Sequence, residues 1–443
     1  MEGSEQEMLS APLIEEVTLG NGAIIARGRN DDDDDSSSGF YEDAVWFGCG
    51  MGSSICYIAT LSSLVYFMMT YGPDSFVYLN LAVYLPSVPI SLAQAKYDHE
   101  FDREFGSYRT YFFRGVVGFI FSILGTCIIL HSKSQALVIL AAIMQGLGGS
   151  VLLGILNQMA SFVSSSGRSK AAVSTGVQAS ALVVLAVSLI TGFGSSDDDS
   201  MLGTFFSIII YLECFFLGVF ALLMMSTRSV YASMIRRDIN SSSSRNSLLV
   251  DSDNDNENDD EDENDPASRQ LSDNEQYYEI FERTKYCCII LVITLVPSFL
   301  VGSWFTIIET DWMRLPQILF YTRIGADLCG RIATIARPPA SVEALGMLAG
   351  LRLIPVAFFF HNAMHVNATL PIHDVLSIIL VAIIAFLSGY LVTGCFQLAP
   401  ALLGSDAQDD SKLSRQASLL NVAFSFAALG GLLSSFALVA AGF

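Results

Sequence analysis

The sequence predicts an all-α integral membrane protein, and three observations carry that reading. Of 443 residues, 52% are hydrophobic and only 15% charged, with a mean hydropathy of +0.49, too apolar for a water-soluble chain of this length. Eleven stretches reach the roughly 20 mainly apolar residues that a helix needs to cross a bilayer. A long polar break divides them into six and five.

The spans are expected near 44–69, 76–95, 110–130, 135–163, 171–193, 203–226, 286–308, 315–336, 344–362, 374–399 and 416–441. The first follows a polar, Asp-rich tail, whereas a cleavable signal peptide runs from basic to apolar. Four regions result: an acidic tail over 1–43, a six-helix bundle over 44–228, an acidic Ser/Asp/Asn-rich cytoplasmic linker over 229–284 and a five-helix bundle over 285–443. Much of the net charge of −21 sits in the tail and linker, where 31–35 are five Asp and 251–265 alternate Asp, Asn and Glu. Such blocks bury too little apolar surface to fold, so a solvated tether is expected, one that could also dock a cytoplasmic partner or carry phosphate at Ser247 or Ser272.

Basic residues near the spans favour the cytoplasmic side. Lys96, Arg103, Arg109, Arg168, Lys170, Arg228, Arg236, Arg237, Arg337, Lys412 and Arg415 fall in one alternating set of loops, against Lys133 and Arg314 in the other. The amino terminus is therefore expected in the cytoplasm and the carboxyl terminus outside, with the plasma membrane as destination and an internal membrane as the alternative. Asn367-Ala368-Thr369 is a glycosylation sequon in a loop this topology makes external.

All eight cysteines lie inside expected spans, which argues for packing rather than a disulfide framework. His361 and His365 show no third ligand, so neither metal nor other cofactor is expected. No phosphate-binding Gly-Lys loop and no catalytic constellation appears, so neither an ATP-driven pump nor an enzyme is indicated. Secondary transport is what remains.

The eighth span carries the most informative residues. Arg323, Asp327 and Arg331 recur every four positions, hence on one helix face. Charges at membrane depth turn toward a bundle interior or an aqueous cavity, so Asp327 and Arg331 are candidate solute contacts as well as an ion pair. A guanidinium fork beside a carboxylate suits a solute with vicinal hydroxyls. Gln145, in Met144-Gln145-Gly146-Leu147-Gly148-Gly149-Ser150, is a further candidate contact. The glycines around it, and Gly48, Gly50 and Gly52 in the first span, read as helix packing. Glu213 and Arg323 are candidates for proton coupling or internal ion pairing. Arg352 is expected to snorkel to the cytoplasmic interface, and Glu309 and Asp311 to be solvated.

These residues together resemble the equilibrative nucleoside transporter family. Asp327-Leu328-Cys329-Gly330-Arg331 is similar to its Asp-x-x-Gly-Arg signature, and Arg352 through Asn362 to its Arg, apolar run and Asn. Ser388-Gly389-Tyr390-Leu391 with Ala399-Pro400 resembles its Asn-Gly-Tyr-Leu and downstream Pro. Gln145-Gly146 and Gly430-Gly431 resemble its fourth and last spans. The first span differs, with Ser54-Ile55-Cys56 where the family often has Pro-Trp-Asn. The resemblance implies 11 transmembrane helices in a 6+5 two-bundle, major-facilitator-like arrangement, working by alternating access. It further implies a nucleoside or nucleobase as solute, contacted by Gln145 from one bundle and by Asp327 and Arg331 from the other, with no nucleic-acid partner. The competing expectations are a carrier of another small organic solute and a non-transporting membrane receptor or scaffold.

Overall fold

The computed structural model describes residues 36–72, 75–163, 167–193, 199–226, 230–231, 234, 273–306, 315–364 and 371–440. Among them there is no strand, as hydrocarbon requires of a chain that must satisfy its own backbone within each segment. The first bundle comprises α1 (Ser36–Gly52), α2 (Ile55–Ser62), α3 (Leu64–Tyr71), α4 (Ser75–Tyr84), α5 (Ser87–Phe105), α6 (Ser107–His131), α7 (Gln135–Val163), α8 (Arg168–Thr191) and α9 (Asp199–Ser226). The second comprises α10 (Asp273–Ser303), α11 (Leu315–Ala336), α12 (Val342–Met364), α13 (Pro371–Leu398) and α14 (Asp410–Ala440).

Within the described residues every expected span falls mainly on helix, but not every one is a single rod. Eight helices, α6 to α10 and α12 to α14, are long and apolar enough to cross a membrane, and α1 with α2, bent by 45°, makes up to nine. The bend follows Gly52, where Ser53 Oγ bonds the Gly50 carbonyl at 2.7 Å and Ser54 Oγ meets Ser180 Oγ at 2.9 Å. The second expected span is divided at Leu85-Pro86 into α4 and α5, and α11 carries three charges within its 22 residues. Length and apolarity thus establish fewer spans than eleven. Helix α1 starts at Ser36 and α10 at Asp273, so helix reaches into what reads as tail and linker. The Asp runs, Ser247, Ser272, Glu309, Asp311, His365 and Asn367 lie outside the described residues.

Side chains of one bundle form one apolar core that includes Trp46, Phe67, Phe119, Phe205 and Phe220. The second bundle has a core around Leu291, Leu391 and Phe396 and another around Trp304, Leu319 and Phe359. Large apolar side chains such as Leu189, Tyr211, Phe113 and Phe358 instead point outward and are more than half exposed, the surface a lipid-facing bundle presents. Gly106, with φ +84°, turns the chain from α5 directly into α6, a conformation that an L side chain resists.

Helices α11 and α13 pack backbone to backbone. A Cβ on Gly330 would sit 2.0 Å from the Phe386 carbonyl oxygen, and one on Gly389 would sit 2.1 Å from that of Asp327. Gly50 and Gly146 approach the Val173 and Val83 carbonyls in the same way. Gly389→Ala is therefore expected to cost about 1–3 kcal/mol or more through overpacking. Gly350→Ala, whose Cβ would meet nothing within 4 Å, is expected to be neutral or slightly stabilising through helix propensity. Thermal unfolding of the purified protein in detergent checks the pair, and equal midpoints would overturn the packing argument.

Candidate functional site between the bundles

The bundles meet along α4, α5, α7 and α8 on one side and α10, α11, α13 and α14 on the other. Among the described residues, hydrogen bonds across this seam lie at its middle or toward the end where α9 leaves and α10 enters, here the linker end. There Asn157 Nδ2 donates to Asn421 Oδ1 at 2.8 Å, and Gln158 Nε2 to Ser418 Oγ at 2.7 Å. Gln158 also donates to Asp98, which is held by Arg114 at 2.7 Å. Tyr277 Oη bonds the Ala95 carbonyl, and Ser91 and Ser425 meet at 2.8 Å in the middle of the seam.

A second clasp closes the opposite side of the seam. Arg331 Nε donates to Asp327 Oδ2 at 2.8 Å within α11, while its Nη1 reaches into the first bundle, to Ser174 O at 2.9 Å and Ser174 Oγ at 2.6 Å. Ser174 Oγ also meets Thr393 Oγ1 of α13 at 2.9 Å. Asp327 and Arg331 are both buried, and the carboxylate keeps Oδ1 free of any donor among the described residues. The glycine contact of α11 with α13 sets the depth of this pair, because Gly389 rests on the Asp327 carbonyl.

Between the clasps lies a cavity of about 60 Å³. At roughly 10–15 Å³ per water it holds a handful of waters. Tyr57, Tyr84, Ser53, Ser87 and Ser150 line it from the first bundle, and Asn421 and Ser425 from the second. Asn421 and the Ser91–Ser425 contact belong to clasp and cavity alike, so the clasp is the cavity's floor. Tyr57 and Tyr84 meet edge to face at 6.4 Å, and Tyr84 packs edge-on against Phe299 of α10 at 5.2 Å. Arg331 lies within electrostatic reach of Tyr57, and Arg323 within that of Tyr84. The two rings thus line the cavity and lie near the charges.

Of the residues singled out in the sequence, Asp327 and Arg331 come together at the seam. Gln145 does not face the cavity: it is fully buried in the first bundle, accepting from Thr60 at 2.7 Å and donating to Thr126 at 2.9 Å. Its two amide ends are consumed by packing. Glu213 is also fully buried in that bundle, with the Cys56 thiol beside it and, among the described residues, no arginine paired to it. Arg323 rests over the Phe299 ring at 5.8 Å.

Arg352 departs most from expectation. It does not snorkel but is fully buried, and its nitrogens donate to Ile384 O at 3.0 Å, Thr294 O at 2.7 Å and Ser298 Oγ at 2.5 Å. Pro355 one turn on and the neighbouring apolar run hide this role in the sequence. Ser388 completes the cradle by meeting Ser298 at 3.0 Å, and Tyr390 Oη donates to the Arg337 carbonyl at 3.1 Å. Asn362 pins α12 to α13 through His373 and Ser377. The eight cysteines are free, and among the described residues no cluster could hold a metal.

Sequence reasoning missed Ser174, Tyr57, Tyr84 and the Asn157–Asn421 contact. Asn157-Gln158 and Asn421 did carry a signal, amides inside otherwise apolar runs; Ser174 carried none.

Solved structures similar to the chain include a variant of the E. coli fucose:proton symporter FucP, the major facilitator superfamily transporter FucP in the outward conformation and the major facilitator superfamily proton:xylose symporter XylE. XylE, bound to 6-bromo-6-deoxy-D-glucose, has a TM-score of 0.58 at 11% identity over 92% of this chain and 91% of that one. A FucP variant scores 0.52 at 12% identity, and FucP in the outward conformation 0.51 at 12%, each over 90% of this chain and 92% of that one. No family model matches the sequence, and no curated protein does. The likeness is one of fold: the chain is an all-α membrane protein with the major facilitator architecture.

Arg352→Lys is expected to destabilise the second bundle although it keeps the charge, since one ammonium cannot span the three acceptors. Each buried acceptor left without its donor costs about 1–3 kcal/mol. Thermal unfolding in detergent measures it, and an unchanged midpoint would remove Arg352 from the structural role.

Proposed function

We propose that the chain is a secondary carrier that moves nucleosides or nucleobases across a membrane by alternating access, either facilitatively or linked to protons. The observation that carries this reading is the Asp327–Arg331 pair, bonded across the seam to Ser174 and lying behind the tyrosines of a cavity between two bundles. Carriers of this architecture rock their bundles around a midplane site, and here the closed floor is built from hydrogen bonds that parting the bundles would break. The distribution of Lys and Arg supports a cytoplasmic linker end, and the proposed location is the plasma membrane or, failing that, an internal one.

The nucleoside assignment rests on the sequence motifs of the equilibrative nucleoside transporter family, whose elements converge here. Asp327 and Arg331 form the pair, Gly330 and Gly389 bring α11 onto α13, and Ser388 supports the Arg352 cradle. The free Oδ1 of Asp327 and the faces of Tyr57 and Tyr84 suit a ring bearing hydroxyls. A second reading, a sugar carrier, is favoured by the hydroxyl-rich wall of Ser53, Ser87, Ser91, Ser150 and Ser425. A receptor or scaffold docking a partner on the acidic linker would show no flux.

The test is uptake of labelled adenosine and uridine into cells lacking their own nucleoside carriers, at acid and neutral external pH, with Asp327→Asn beside the wild type. Saturable wild-type uptake is expected, falling by about tenfold or more in Asp327→Asn on loss of a charge-assisted contact. Faster uptake at acid pH marks proton linkage. Absence of uptake with the protein at the surface sinks the nucleoside reading, and displacement by unlabelled sugars rather than nucleosides replaces it with the sugar one.

A further inference from the structure

Three guanidinium groups are gathered inside the second bundle: Arg323 and Arg331 on α11, and Arg352 on α12. Asp327 is the bonded partner of Arg331 and the carboxylate within electrostatic reach of both Arg323 and Arg352. Three positive charges therefore face one negative charge among the described residues. An uncompensated charge in such an interior is costly, and a cation there attracts an anion.

The three arginines are not equally available. Arg331 commits Nε and Nη1 to Asp327 and Ser174. Arg352 spends all three nitrogens on two carbonyls and a hydroxyl, neutral acceptors that fix its position without cancelling its charge. Arg323 makes no hydrogen bond to a described residue. Its guanidinium lies against Gly302, where a Cβ would meet Nη1 at 1.9 Å, and 5.8 Å from the centre of the Phe299 ring. A cation–π contact of this kind holds the group while leaving its N–H fork unspent.

Phe299 packs against Tyr84, and Tyr84 lines the cavity. Arg323 thus stands one ring from the cavity with its donors free. We propose that Arg323 receives an anionic oxygen group of the solute, a carboxylate or a phosphate, and so makes this site selective for a ring-bearing solute with negative charge. The planar fork matches both groups in bidentate geometry. The proposal deepens the carrier reading above and rests on it for the word solute, but the binding it asserts is measured separately from flux.

The experiment follows thermal unfolding of the full-length protein in detergent with uridine, uridine 5′-monophosphate, glucuronate and inorganic phosphate as probes. Wild type is expected to be protected by the monophosphate or glucuronate at concentrations about tenfold to a hundredfold below those at which uridine protects, as a charge-assisted hydrogen bond provides. Arg323→Gln is expected to abolish that advantage while leaving uridine protection in place, and Arg323→Lys to retain part of it. Monophosphate above glucuronate assigns a phosphate, and the reverse a carboxylate. Equal protection by uridine and both organic anions in wild type overturns the proposal without any variant having to fold. So does an advantage that survives in Arg323→Gln, or protection by inorganic phosphate equal to that by the organic anions, which would mark a counter-ion seat. Uptake into proteoliposomes then separates the two readings: anion-selective protection without flux of any probe refutes the carrier and leaves the anion site standing.

Discussion

Arg331 is bonded to both halves of the molecule at once, and the closed arrangement of the bundles turns on that fact. A guanidinium at membrane depth has to be paired, and Asp327 one helical turn away answers only part of its fork. The remainder goes to Ser174 on the other bundle. Parting the bundles frees donors that water or solute then has to satisfy. Charge-assisted hydrogen bonds contribute about 1.5–3 kcal/mol each and neutral ones about 0.5–1.5. The Arg331 bonds with the contacts at Asn157, Gln158 and Ser91 therefore hold the bundles together by an amount on the order of several kcal/mol.

The helix packing serves that pair. Gly330 and Gly389 let α11 and α13 touch backbone to backbone, which places Arg331 within reach of Ser174, whose Oγ also meets Thr393 of α13. The Arg352 cradle fastens α12 to α10 and α13 from behind, so the helix that presents the pair is backed by a bundle that does not slide. Charged residues in this bundle thus have different tasks although all look alike in sequence. Arg352 is a strut, Arg331 a latch, and Arg323 is held by a ring and a glycine.

The fold was legible because apolar length is a one-dimensional quantity. Each expected span fell on helix, and errors came where local chemistry overrides hydropathy, at the Ser53-Ser54 bend, at Pro86 and in the charged α11. The site was legible on one side only. Asp327 and Arg331 announce themselves by their cost in an apolar run, whereas their partner Ser174 is an ordinary hydroxyl whose role exists only once α8 meets α11. Gln145 lies elsewhere: an amide in a glycine-rich helix looks as though it faces solute, but in this arrangement it bonds Thr60 and Thr126, distant in sequence. Arg352 misled because distance from a helix end does not tell whether carbonyls of two other helices lie within reach.

The size of the cavity turns these contacts into a sequence of events. At about 60 Å³ it admits waters, not a nucleoside or a hexose, so this arrangement precedes or follows occupancy. In the proposed carrier, movement of Tyr57 and Tyr84, which line the cavity within electrostatic reach of Arg331 and Arg323, would open space for a solute. In that carrier the ring of a solute would take the place of tyrosine as neighbour while its polar groups met the nearby guanidinium donors. In the carrier proposed above, solute binding and exposure of the latch would then be one step, the coupling that alternating access requires.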